Sequence, residues 1–212
     1  MSTSEPRPGR HDFEAVASRT VYDGAILALR LDQVAMPGGR VVEREVIEHH
    51  GAVAVLALDD AGRIVLIRQY RHPLRRRLLE LPAGLLDKAG EDPLDAARRE
   101  LAEETGLAAR DWRVLVDVAL SPGFSDEVLR VYLARDLYST ERPEPEDEEA
   151  DLEIMRMPLD EAVAAVFAGD IDNATAVAGL LAWSAAQAGN VELRRADAPW
   201  PGRSTRFLDR KS

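Results

Sequence analysis

Residues 98–107 read RRELAEETGL, and the fold is decided by how this stretch is read. Asp92-Pro93 stands ahead of it, with Asp92 as an N-cap and Pro93 at the first helical position. Gly106 closes the expected helix as a left-handed C-cap. Glu100, Glu103 and Glu104 then fall in the last two turns, where the helix dipole already disfavours negative charge. Glu100 and Glu104, four residues apart, also repel each other. At about 100° per residue the three share one sector, beside an apolar stripe of Leu94, Ala97 and Leu101 that can dock on a sheet. A solvated acidic face is the plain reading of such a cluster. A bound cation would remove both penalties, and oxygen-only donors suit a hard ion such as Mg2+ or Mn2+.

Working outward, apolar strand-like runs surround this helix. Residues 19–35 read as strands broken at Asp23-Gly24, and Pro37-Gly38-Gly39 turns the chain into a partner strand over residues 40–50. Val53 to Leu58 and Ile64 to Tyr70 flank the turn Asp59-Asp60-Ala61-Gly62. A loop containing Pro82, Ala83 and Gly84 leads into the helix. Val114 to Leu120 and Val128 to Ala134 are further strands around the loop SPGFSD, residues 121–126. An acidic loop over residues 139–151 precedes a short strand, Leu152 to Met157, and two helices, Leu159 to Phe167 and Thr175 to Gln187. Strands interrupted by a few helices predict an α/β fold. The expected organisation is a tail (1–12), an N-terminal sheet region (13–50), a main domain (51–187) and an unassigned C-terminal tail (188–212).

Composition narrows the function. The chain has 38 Asp plus Glu against 27 Lys plus Arg, a net charge of −11, which argues against nucleic acid or an anionic membrane as partner. An anionic substrate would need local arginines or metal ions. Cysteine is absent, which excludes disulfides and thiolate chemistry. The N-terminus has no apolar signal region and no apolar run reaches membrane length, so a cytoplasmic protein is expected. The run Arg75-Arg76-Arg77 reads as a solvated loop, and His49, His50 and His72 as structural or surface residues.

From Gly84 to Leu107 the chain resembles the Nudix box, G-x5-E-x7-R-E-U-x-E-E-x-G-U with U aliphatic. Glu91 and Arg99 stand at the right separation, and RELAEETGL matches without a gap. The departure is one extra residue between Gly84 and Glu91, which lengthens the loop and leaves the helix carboxylates in register. The runs Gln69-Tyr70-Arg71, Leu79 to Gly84 and Ser121 to Glu127, together with residues 13–50, resemble the ADP-ribose pyrophosphatase branch.

The resemblance implies a Nudix α/β/α sandwich with an N-terminal antiparallel β-sheet extension, often exchanged across a homodimer. It implies Mg2+-dependent hydrolysis of ADP-ribose to AMP and ribose 5-phosphate, with Mn2+ as a second possible metal. The alternatives are hydrolysis of another nucleoside diphosphate sugar, or a non-catalytic ADP-ribose-binding regulator. The implied metal ligands are Glu100, Glu104, Glu103 and the Ala83 carbonyl, with Arg99 orienting the carboxylates. The general base is assigned to the acidic loop, at Glu148 or its rival Glu149. Arg71 is implied to meet a phosphate and Glu127 the terminal ribose. Gly123 and Phe124 belong to the same substrate loop, where Phe124 stacks or anchors. Arg44 and Glu45 are implied to reach the partner subunit's site. The other reading of these last residues is ordinary surface charge.

Overall fold

The computed structural model describes residues 11–142 and 151–211, and the chain divides into two compact units. Of the described residues, one comprises 11–50, 121–127 and 204–211; the other comprises 51–120, 128–142 and 151–203. In the first, β1 (Ala15–Asp23), β2 (Leu27–Ala35) and β3 (Val41–His49) form an antiparallel sheet in that order. The β2–β3 turn uses Gly38 and Gly39 at φ of 86° and 84°, a region open to glycine but not to most side chains. Alternate residues of β2 point inward, yet Arg30 and Asp32 are among them. Burying these charges is tolerable because they are paired. Arg30 Nε lies 3.0 Å from both Asp32 oxygens, and its Nη1 donates to Glu48.

In the second unit, an eight-stranded sheet is built around β4 (Ala52–Leu58), β5 (Ile64–Arg71), β8 (Leu107–Ala119), β9 (Val128–Ser139) and β10 (Glu153–Met157). Short strands β6 (Arg76–Glu80), β7 (Ala83–Leu85) and β11 (Arg194–Arg195) complete it. The path runs β10-β5-β4-β9-β8-β11, with β6 beside β5 and β7 beside β4. Only the β4–β9 pair on this path is parallel. Its central strand β4 is apolar at every position because both faces are covered. Ala52, Ala54 and Leu56 face α2 (Leu159–Ala168) and α3 (Ala174–Gly189). Val53, Val55 and Ala57 face α1 (Pro93–Thr105). The result is an α/β/α sandwich.

Helix α1 forms where its caps place it. Asp92 accepts from the Leu94 amide at 2.8 Å, and Gly106, at φ 66°, donates to the Ala102 carbonyl. Ala96, Ala97 and Leu101 are fully buried against the sheet, while Leu94 packs only partly. Full burial of Leu101 alone contributes about 1.5–3 kcal/mol.

The structure departs from the sequence reading at several points. Arg76 and Arg77 are not loop residues; they begin β6, pairing with Asp172 and Asp151. Only Arg75 turns, in the left-handed region at φ 54°. Strands β8 and β9 run longer than expected, each supporting the other through an extended antiparallel register.

The C-terminal tail is also structured. Arg130, 2% exposed, forks onto Asp117 and donates to the Ala198 and Pro199 carbonyls, under the Trp200 ring. Residues 206–211 form α4 (Arg206–Lys211), which lies in the first unit. Phe207 is fully buried there, edge-on to His50 at 4.5 Å, and Arg210 pairs with Glu48 at 2.6 Å. The N-terminal sheet therefore has a covering helix that its own stretch of sequence does not contain.

Candidate active site

The second unit brings the carboxylates of α1 against the β6–β7 connection. Strand β7 pairs with the start of β4, Ala54 opposite Ala83, and the Val55 amide donates to the Pro82 carbonyl at 2.8 Å. This fixes the Pro82-Ala83-Gly84 backbone on the face that α1 covers. Glu104 Oε2 accepts from the Ala83 amide at 2.9 Å. The Glu100 carboxylate lies over Gly84 so closely that a Cβ built there would stand 1.9 Å from Glu100 Cδ. Only glycine leaves room for it. Glu100 and Glu104 are accordingly buried, at 8% and 6% exposure, although both are ionisable.

Arg99 ties the cluster together. Its Nε and Nη2 fork onto Glu91 at 2.9 and 3.0 Å, while Nη1 reaches Glu100 at 2.5 Å and Glu103 at 2.9 Å. The extra residue in the loop therefore does not take Glu91 out of reach of Arg99. Hydrogen bonding to Glu91, against the opposing effect of burial, holds the Arg99 guanidinium in its charged form, above its ordinary value. The same bond holds Glu91 below the usual carboxylate range. Glu100 goes the other way. Burial pushes it up, Arg99 pulls it back, and neighbouring Glu103 and Asp87 add to the upward push. Asp87, absent from the sequence-derived site, is a further negative group near Glu100. At the helix end, Arg142 Nε donates to the Glu103 carbonyl at 2.9 Å and supplies the positive charge that this terminus favours.

In charge and donor type these groups suit a divalent cation. Glu91, Glu100 and Glu103 gather around one guanidinium, and Glu104 is seated on the Ala83 amide, so acidic charge outnumbers basic charge. Every candidate donor is oxygen, which suits Mg2+ or Mn2+. Among the described residues no three acidic or histidine groups already converge as a metal cage. Glu100 and Glu103 lean on Arg99, and Glu104 on the Ala83 amide. Each carboxylate has lone pairs beyond these contacts, so the residues fit a cation that brings its own waters.

Residues 48–178 match the NUDIX domain family, and residues 13–47 match the nucleoside diphosphate sugar hydrolase N-terminal domain. The chain belongs to the Nudix family. It is 53% identical over 202 residues to an ADP-ribose pyrophosphatase of Mycobacterium tuberculosis (strain ATCC 25618 / H37Rv), covering 95% of this chain and 98% of that protein. An ADP-ribose pyrophosphatase of Bacillus subtilis (strain 168) is 39% identical over 161 residues, covering 76% and 86%. Among solved structures, an ADP compounds hydrolase superposes with a TM-score of 0.72 at 24% identity, covering 85% of this chain and 96% of the other. That likeness bears on the Nudix fold.

The remaining Nudix site candidates fall in both units. Arg71, at the end of β5, forks onto Glu80 in the second unit. Arg44 and Glu45 lie exposed on β3 in the first unit. In that unit Phe124 is 55% exposed, Gly123 is exposed, and Glu127 Oε1 lies 3.5 Å from His49 Nδ1. The Asp126 carboxylate instead accepts from the His49 amide at 3.0 Å and from Ser204 Oγ at 2.7 Å. Glu148 and Glu149 lie outside the described residues.

Proposed function

We propose that this Nudix hydrolase cleaves the pyrophosphate bond of ADP-ribose to AMP and ribose 5-phosphate, with Mg2+ as the preferred divalent ion. The reading is carried by the buried Glu100 and Glu104 carboxylates seated on Ala83-Gly84. They occur in a chain alike over almost its whole length to an ADP-ribose pyrophosphatase. Glu100, Glu103, Glu104 and the Ala83 carbonyl would hold the metal. A bound divalent ion supplies charge neutralisation at the phosphate oxygens and lowers the pKa of a bound water. The chain itself contributes positioning. Arg99 keeps the carboxylates aimed and restrains their mutual repulsion, and Gly84 leaves the space that Glu100 occupies. Arg71 binds a phosphate of the substrate by a guanidinium fork. Glu127 holds the terminal ribose, and Gly123 and Phe124 belong to the same substrate loop, where Phe124 stacks or anchors.

A panel of ADP-ribose, ADP-glucose and GDP-mannose tests the substrate. The highest kcat/KM is expected for ADP-ribose, and a higher value for either sugar nucleotide would reassign it. We assign the general base to the acidic loop, at Glu148 with Glu149 as its rival. Glu148→Gln should lower kcat by about 10²–10⁴-fold with little change in KM. A collapsed rate in Glu149→Gln alone would move the role by one residue, and full rates in both would remove it from this loop.

We also propose a cytoplasmic homodimer in which Arg44 or Glu45 of one chain serves the partner's site. The support is an exposed apolar set on the N-terminal sheet region, Val16, Val21, Tyr22, Ile26 and Val41. Among the described residues no helix is long and apolar enough to cross a membrane. Light scattering should give twice the chain mass, 2 × 23.3 kDa. Mixing an Arg44→Ala, Glu45→Ala chain with a Glu104→Gln chain should restore activity in verified heterodimers. A monomer, or heterodimers as inactive as both parents, would contradict shared sites.

A further inference from the structure

Glu80 is almost completely buried, at 3% exposure, yet it is not one of the box carboxylates. It ends β6, three residues before Ala83, on the connection that carries the Ala83-Gly84 floor of the site. In the β5–β6 register it stands opposite Ile67, so Gln69 and Arg71 follow on the same face of β5. Both side chains reach back to it. Gln69 Nε2 donates to Oε2 at 3.2 Å, Arg71 Nε donates to Oε1 at 2.9 Å, and Arg71 Nη2 donates to Oε2 at 2.7 Å. The Glu80 side chain is 3% exposed and that of Arg71 is 41% exposed. One partner is thus inside the protein and the other reaches solvent.

We propose that Glu80 is a positioning residue for the substrate, acting through Arg71. An arginine carries five N–H donors in a rigid plane. The fork to Glu80 uses the Nε side of that plane and so fixes the direction from which the guanidinium would meet a phosphate. A free arginine side chain would have to be ordered when substrate binds, which weakens affinity. Here a buried carboxylate, itself steadied by Gln69, orders it beforehand. The inference rests on the reading of Arg71 as the phosphate contact. The competing role is structural, with Arg71 present only to neutralise a buried Glu80.

The test is a double-mutant cycle with ADP-ribose and Mg2+, following KM, kcat and melting temperature in the full-length protein. Glu80→Gln keeps the volume and one acceptor but loses the charged fork. It should raise KM about tenfold, with kcat changed much less. Arg71→Ala should raise KM at least as much, and adding Glu80→Gln to it should raise KM no further. If Glu80→Gln does not fold, Glu80→Asp takes its place in the same cycle. Its shorter carboxylate should give a smaller rise in KM that again disappears in the Arg71→Ala background. Wild-type KM in the Glu80 variant, beside a raised KM in Arg71→Ala, overturns the positioning role and leaves the Arg71 reading standing. Wild-type KM in Arg71→Ala overturns that reading, and the inference with it.

Discussion

Glu104→Gln is expected to lose at least about a hundredfold in turnover of ADP-ribose while the protein keeps its fold. Glutamine retains the length of the side chain and an oxygen able to accept from the Ala83 amide, the bond that seats Glu104 at 2.9 Å. It also removes a negative charge from a helix end that already carries Glu100 and Glu103, so the helix loses nothing electrostatically. What is lost is one anionic oxygen for the cation. Saturating Mg2+ should raise the melting temperature of the wild type more than that of the variant, because the ion stabilises the folded state it binds. Wild-type turnover, or equal thermal shifts in both proteins, would mean that the α1 carboxylates do not hold the metal.

Gly84→Ala should be about as damaging to turnover, for a steric reason. The added methyl would stand 1.9 Å from Glu100 Cδ and 2.0 Å from Oε1, far inside contact distance. The obstacle is the end of a flexible side chain, whereas the backbone of β7 is held by pairing with β4. Glu100 must therefore swing away and abandon both its seat and its contact with Arg99 at 2.5 Å. The expected outcome is a folded protein, destabilised by no more than about 2 kcal/mol, with turnover reduced at least about a hundredfold. Circular dichroism melting and initial rates check the two parts. Near-wild-type turnover would show that the Glu100 seat on Gly84 is dispensable.

The parts of this molecule that were legible in sequence are those whose causes are local. Helix α1 carries its own boundaries in Asp92-Pro93 and Gly106, and β4 declares two covered faces by being apolar throughout. The awkward placing of Glu100, Glu103 and Glu104 points to the proposed site because a helix end gains nothing from them structurally. The unread parts depend on distant partners. Strand β7, three residues long, exists because β4 pairs with it. The six residues of α4 are too few to display a helical period, and Phe207 finds its pocket beside His50, far away in sequence. Glu80 follows Leu78-Leu79 like any strand carboxylate, and only the β5–β6 hairpin brings Gln69 and Arg71 onto it. Arg142, the cation at the end of α1, is drawn from beyond β9 and has no local signature.

The carboxylates of α1 and the Ala83-Gly84 floor are proposed to serve a metal-assisted cleavage of the ADP-ribose pyrophosphate. The most direct measurement is mass-resolved product analysis of ADP-ribose incubated with the purified protein, with Mg2+ present and with Mg2+ removed by chelation. AMP and ribose 5-phosphate in equal amounts are expected with Mg2+, and intact ADP-ribose without it. Intact ADP-ribose under both conditions, or the same products at the same rate after chelation, would contradict this role.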